Sequence, residues 1–284
     1  MTPLLSVQNL HVGFPTRSGL FQAVRGVSFD LGRERLGVVG ESGSGKSMTG
    51  RAILGLVRPP GRVSADRLDL DGESILNLPE SRMRRLRGAR ISMVMQDPKF
   101  SLNPVMTVGR QIAEGYRLHT GTSRAQARAK ALEMLAAVQI RDPERVFDAY
   151  PHEVSGGMGQ RVMIAMMLAP DPQVLIADEP TSALDVSVRN EVLRILDRLV
   201  AARGMGLIFI SHDLNLVAQF CDRVLIMYAG RVVEELPARD LHAAKHPYTQ
   251  GLLDSLPRLD RPVERLATLQ RQAGWRDAPP QGTP

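Results

Sequence analysis

Short, predominantly apolar runs punctuate the chain at residues 37–39, 91–95, 174–177 and 207–210. Strands covered on both faces read this way, because neither face of a parallel sheet meets water. The first run leads through a glycine-rich stretch into a helical pattern over residues 47–56, which predicts the opening of an α/β unit. Between residues 107 and 168 the periodicity turns helical. Within it Ser123-Arg124-Ala125-Gln126 opens an alanine-rich segment reaching to about residue 138. No strand pattern interrupts that stretch, so it predicts a helical subdomain inserted into the α/β core. A last helical run over 248–255 follows Pro247, and the chain closes on Asp277-Ala278-Pro279-Pro280-Gln281-Gly282-Thr283-Pro284, a composition that predicts a loose tail.

Composition narrows this picture. A chain of 284 residues, 43% of them hydrophobic, suits one domain with a subdomain and a tail. The longest apolar stretches, 162–169 and 206–210, fall far short of the ~20 residues that span a bilayer, so the chain is not expected to be a pore. Its first residues, Met1-Thr2-Pro3-Leu4-Leu5-Ser6, place no basic region ahead of an apolar one, and Cys221 is the single cysteine. Both features predict a cytoplasmic setting. The formal charge of +6 suits an anionic partner, although it rests mostly on arginine and an arginine-rich coding bias accounts for it equally well.

The candidate chemistry lies at the ends of the aliphatic runs. Gly40-Glu41-Ser42-Gly43-Ser44-Gly45-Lys46-Ser47 matches G-x-x-x-x-G-K-[ST] between a predicted strand and a predicted helix. Glycines at 40, 43 and 45 let backbone N–H groups turn inward with those of Ser42 and Ser44, and the helix presents its positive end to phosphates. Lys46 would neutralise the β and γ oxygens, and Ser47 would ligate Mg²⁺. Val174-Leu175-Ile176-Ala177-Asp178-Glu179 is a buried-strand pattern ending in two acids, at the end of the sheet where open α/β folds bind ligands. Asp178 is the candidate Mg²⁺ partner through water. Glu179 is the candidate general base for attack of water on a γ-phosphate.

Val154-Ser155-Gly156-Gly157-Met158-Gly159-Gln160-Arg161 resembles the signature sequence of ABC ATPases, and with the phosphate loop the resemblance covers nearly the whole chain. It implies the ABC ATPase fold: a P-loop NTPase core with a mixed sheet, an N-terminal antiparallel β subdomain and an inserted α-helical subdomain. The implied parts are 1–105, the first part of the core with the phosphate loop and the antiparallel subdomain; 106–170, the helical subdomain ending in the signature; 171–245, the second part of the core; and 246–284, an extension and tail. In such a family Ser155, Gly156, Gly157 and Gln160 meet the nucleotide held by an opposite subunit, so two domains close head to tail on two ATP molecules. Gln96 resembles the Q-loop glutamine that senses Mg²⁺ and water, Ser182-Ala183-Leu184-Asp185 the D-loop, and His212 the switch histidine. Phe14 resembles the aromatic that stacks on adenine, with Phe21 as the alternative and core packing open for either.

A narrower resemblance, to the peptide/nickel importer subfamily, rests on Gln96-Asp97-Pro98-Lys99-Phe100-Ser101-Leu102-Asn103-Pro104 and on His246-Pro247-Tyr248-Thr249-Gln250-Gly251-Leu252-Leu253. It implies an ATP-hydrolysing subunit peripheral to the cytoplasmic face of a bacterial membrane. Its partners would be two permease subunits, a second ATPase subunit, identical or related, and an extracytoplasmic solute-binding protein. The cargo would be di- or oligopeptides, or alternatively nickel or a metal chelate. The sequence departs from the usual pattern at Val154, at Gly159 and at Arg33. No cysteine follows Cys221, so no iron–sulfur cluster is expected. A soluble ABC ATPase acting on nucleic acid would carry a long coiled-coil insertion or a second ATPase domain, and an exporter subunit would lack the Ser-Leu-Asn-Pro and His-Pro-Tyr segments.

Overall fold

The computed structural model describes residues 2–98, 101–182, 184–256 and 273–276. The predicted loose tail lies outside them, as do Lys99 and Phe100 of the Gln96 segment and Ala183 of the D-loop. In chain order the elements are β1 (Leu5–Thr16), β2 (Gly19–Leu31), β3 (Arg35–Val39), α1 (Lys46–Ile53), β4 (Arg62–Ser64), β5 (Arg67–Leu70), β6 (Glu73–Ser74), α2 (Glu80–Leu86), β7 (Ile91–Val94), α3 (Val108–Thr120), α4 (Arg124–Ala137), α5 (Pro143–Asp148) and α6 (Gly156–Leu168). There follow β8 (Val174–Asp178), α7 (Val186–Arg203), β9 (Gly206–Ser211), α8 (Leu214–Phe220), β10 (Arg223–Tyr228), β11 (Arg231–Pro237) and α9 (Pro247–Asp254). They gather into two compact units, one from the described parts of 1–77 and 208–284, the other from those of 78–207.

The first unit carries an antiparallel sheet in the order β2-β1-β5-β6, with β4 also on β1. It also holds β10 parallel to β3, β11 antiparallel to β10, and β9 beside β3, so this second sheet is mixed. All of β9, and β3 after Arg35, is buried, as the short apolar runs predict. Gly37 in β3 lets α8 come close: a Cβ there would stand 2.4 Å from Val217 Cγ1 and 3.2 Å from Cys221 Sγ. Arg223 holds Glu34 and Glu235 together, and Arg35 pairs with Asp222 at 2.9 Å.

The second unit pairs β7 and β8 in parallel, both fully buried, and carries the helices α2 to α7. Helix α4 begins at the predicted place because Ser123 and Gln126 form a reciprocal capping box. Phe147 of α5 lies so close to Gly109 of α3 that a Cβ would stand 2.0 Å from its ring, and Arg128 of α4 lies over the same ring at 4.2 Å. Helix α1 is shorter than the pattern over 47–56 predicts. It starts one residue earlier, at Lys46, and ends at Ile53, because Gly55 adopts φ +61°, a left-handed turn that cannot extend a right-handed helix.

The packing around Gly37 fixes the chemistry of the single cysteine. Burial pushes the Cys221 thiol up to about 12, so at neutral pH it stays protonated and inert. The native chain is expected to resist maleimide at neutral pH and to label fully in denaturant. Mass spectrometry of labelled chain checks this, and rapid native labelling would contradict the packing.

Candidate functional site

The phosphate loop connects β3 to α1 in the first unit. Its root cannot carry side chains: Gly40 has φ +154°, and a Cβ on it would stand 2.1 Å from the carbonyl oxygen of Met227. The Ser44 N–H donates to Glu41 O at 3.1 Å, and the loop is seated against the β10–β11 turn through Gly230 N–H to Ser44 O at 2.9 Å. That turn is tight because Ala229 and Gly230 both have positive φ, +46° and +85°, as a two-residue hairpin loop requires. On the far side, the Glu41 N–H donates to Tyr248 Oη at 3.1 Å.

Lys46 is buried and its Nζ donates to Gly40 O at 2.7 Å and Glu41 O at 2.9 Å, with Ser44 Oγ at 3.5 Å. The ammonium is thus held inside the loop by carbonyls. These are weaker partners for a cation than phosphate oxygens would be. Helix α1 starts at Lys46 with Gly45 as its N-cap and no side-chain cap, so the positive end of the helix lies at the loop. His212 is exposed just after β9, in a turn fixed by Asp213, which accepts the Leu216 N–H and caps α8. Phe14 and Phe21 are register partners across the β1–β2 hairpin and so share a face; Phe14 is half-buried with its ring against Gly61, and Phe21 is 60% exposed.

In the second unit Asp178 ends β8 and is buried. Glu179 follows in the left-handed region at φ +46°, a conformation that costs a residue with a Cβ about 1–3 kcal/mol. The reversal turns its carboxylate away from the strand's alternation, and Gln96 Nε2 donates to Glu179 Oε2 at 3.2 Å. The structure therefore brings together two residues that the sequence places 83 positions apart. Ser182 holds the turn by donating its N–H and hydroxyl to Glu179 O. Asp185 then caps α7 by accepting the Val188 N–H at 3.0 Å.

Ser155 caps α6, accepting the Met158 N–H at 3.3 Å. The two signature glycines differ: a Cβ on Gly156 would meet only open space, whereas one on Gly157 would stand 2.6 Å from Val188 of α7. Gln160, one turn on, is 1% exposed. Its Nε2 has no hydrogen-bond partner, and with Gln96, Asp97, Leu102, Ser155 and Leu184 it lines a cavity of about 540 Å³ within this unit. The Ser-Leu-Asn-Pro segment is held by Gln111 of α3, whose amide oxygen accepts Asn103 N–H and whose amide nitrogen donates to Asn103 O and Met106 O. Tyr248 is the site contact that motif reading misses; its sequence signal, His246-Pro247-Tyr248, points to a subfamily and not to the phosphate loop.

The donors named for Mg²⁺ are a serine hydroxyl, a carboxylate and a glutamine whose N–H is used on Glu179, leaving its amide oxygen. Among the described residues no group of three or more His, Cys, Asp or Glu gathers as a protein-built metal cage would need. Each of these donor oxygens is by its chemistry a suitable ligand for Mg²⁺, an ion that usually keeps several waters and substrate phosphates in its shell.

Comparisons with known proteins identify the family. The ABC transporter model matches residues 24–182, and the model of the oligopeptide/dipeptide transporter C-terminal region matches residues 233–284. The chain is 48% identical over 269 residues to the dipeptide transport ATP-binding protein DppD of Haemophilus influenzae, covering 94% of this chain and 82% of that one. It is 45% identical over 287 residues to the protein of the same name from Bacillus subtilis, covering 100% and 86%. Among solved structures it resembles a dimeric ATP-binding cassette in a post-hydrolysis state bound to ADP and Pi, with a TM-score of 0.73 and 26% identity over 83% of this chain and 99% of that one. It also resembles cbiO1 of Clostridium perfringens, part of an ABC transporter complex, with a TM-score of 0.71 and 26% identity over 86% and 92%. A glycine loop that cages its lysine, a strand-end acid pair and a capped signature helix, joined to family matches at both ends, establish that this chain belongs to the ABC transporter family and is its ATP-hydrolysing component.

Proposed function

We propose that this chain powers the uptake of di- or oligopeptides as the ATPase subunit of an importer, peripheral to the cytoplasmic face of a bacterial membrane. The observation that carries the cargo class is the match of residues 233–284 to the oligopeptide/dipeptide transporter C-terminal region, a segment that begins within β11 and runs past the ABC transporter match at 24–182. End-to-end similarity to dipeptide transport ATP-binding proteins supports the same reading. No helix among the described residues is long and apolar enough to cross a membrane, so the translocation path falls to separate permease subunits. A solute-binding protein would deliver the peptide.

ATP would bind with its phosphates on residues 40–47 and its adenine on Phe14, whose half-buried ring is already fixed against Gly61. Lys46 exchanges the Gly40 and Glu41 carbonyls for β and γ oxygens. Ser47, the Gln96 oxygen and, through water, Asp178 would hold Mg²⁺, which would supply charge neutralisation at the phosphates. Glu179 orients and deprotonates the attacking water, and Gln96 holds its carboxylate in one rotamer. His212 contacts the γ-phosphate. A second ATPase subunit, identical or related, presents Ser155 to Gly157 and Asp185 to this nucleotide, while the expected contact from Gln160 is disfavoured because that side chain is 1% exposed. The similarity to a dimeric cassette supports that arrangement. Ser155 can accept this role at small structural expense because its hydroxyl caps a helix whose first N–H groups already face outward.

Two predictions test this reading. Glu179→Gln should retain MgATP binding while lowering hydrolysis by roughly 10²–10⁴-fold, the usual contribution of a general base. Purified from native membranes with ATP, it should bring down two permease subunits. Recovery of nucleic acid or ribosomes without a permease would sink the importer assignment. Phe14→Ala should weaken ATP binding about tenfold, within the ~1–3 kcal/mol that base stacking contributes, while Phe21→Ala changes it less than about twofold. Isothermal titration of both variants decides, and the reverse ranking would move adenine to Phe21.

A further inference from the structure

One peptide unit at the root of the phosphate loop is gripped at both ends. The carbonyl between Gly40 and Glu41 accepts Lys46 Nζ at 2.7 Å, and the N–H of that same peptide donates to Tyr248 Oη at 3.1 Å. A glycine peptide needs such restraint: Gly40 lacks a Cβ to limit its rotation, and the loop's phosphate-binding geometry depends on where its N–H and C=O groups point.

Tyr248 is built to hold its hydroxyl still. It lies in the first turn of α9, fully buried. Its own N–H donates to His246 Nδ1 at 3.1 Å, and the backbone N–H groups of Lys245 and His246 both donate to the buried Glu234 of β11, at 2.6 and 3.2 Å. The phenol ring packs 4.5 Å from the ring of Tyr228, which ends β10, and 6.0 Å from that of Trp275. Burial draws the His246 pKa down, so the imidazole stays neutral and keeps a lone pair for the Tyr248 N–H. The hydroxyl's position is therefore set by β10, β11 and α9.

We propose that Tyr248 is a positioning residue for nucleotide binding: its hydroxyl fixes the Gly40–Glu41 peptide, and with it the direction of the N–H and C=O groups at the root of the loop, so that the C-terminal extension sets the affinity of the phosphate loop. This rests on the reading that residues 40–47 hold the nucleotide. Tyr248 touches neither nucleotide nor reacting atoms in this role, so its effect falls on binding and not on chemistry.

The test uses the full chain with Tyr248→Phe, which keeps the ring and removes only the hydroxyl, and Tyr228→Phe as the control for ring packing. Isothermal titration with MgATP and MgADP, well below the melting temperature, should give dissociation constants raised roughly three- to tenfold for Tyr248→Phe, in line with the loss of one hydrogen bond. For ATP hydrolysis KM should rise by a similar factor while kcat stays within about twofold. Tyr228→Phe should leave both constants unchanged. A role in stability alone would lower the melting temperature of Tyr248→Phe without moving either dissociation constant, and that result overturns the proposal. Equal loss in Tyr228→Phe also overturns it, because the cause would then be the aromatic packing. Failure of the wild-type chain to bind either nucleotide would instead refute the nucleotide site itself.

Discussion

A loop that binds a polyanion through its own backbone must leave its N–H groups turned inward and unpaired by secondary structure, so few bonds inside the loop hold its shape. Here the restraint comes from outside. The Met227 carbonyl closes on Gly40 where a Cβ would need to be, Gly230 donates to Ser44, and the tight positive-φ turn at Ala229 and Gly230 brings that donor into place. Lys46 draws the root together from within by bonding two successive carbonyls. The β10–β11 hairpin, which carries no candidate catalytic residue, is thus as necessary to the loop as the glycines are.

The second unit solves a related problem by strain. A carboxylate that continued the alternation of β8 would be buried like Ala177 and Asp178; the left-handed Glu179 breaks that alternation and meets Gln96 instead. The conformational cost is offset by the Ser182 bonds to the Glu179 carbonyl and by the rigid pair β7–β8 from whose ends both residues emerge. Ser155 and Asp185 show an economy of another kind. Each is an exposed helix N-cap, so each already sits where backbone donors converge, and Asp185 caps with one carboxylate oxygen while Ser155 caps with its hydroxyl.

What the sequence discloses follows from how local each signal is. The phosphate loop, the β8 acids and the α6 cap are contiguous, and each is legible from its own residues. The aliphatic runs of β3, β7, β8 and β9 announce buried strands, while Arg223–Tyr228 has the same character and becomes placeable only once β3 lies beside it. The long β1 is harder to read from periodicity, because register shifts at Val7/Leu10, Leu10/His11 and Val12/Gly13 break its alternation. The end of α1 turns on one left-handed glycine at 55, which propensity alone reads as tolerable inside a helix.

The contact between Glu41 and Tyr248 lies beyond any such reading, since 207 positions separate the partners and the donor is a backbone group. No residue type at position 41 signals it, because any residue except proline offers the same N–H. Only the acceptor side leaves a trace, as a tyrosine placed by His246 and Pro247 at the start of α9. Selection on such a contact would act on Tyr248, on the buried Glu234 that anchors the turn before it, and on Tyr228 beneath the ring, three residues outside every nucleotide-binding motif. A subfamily marker in the C-terminal extension can therefore have a physical origin in the ATPase core, where the shape of the phosphate loop has to be held from the side that the motif does not occupy.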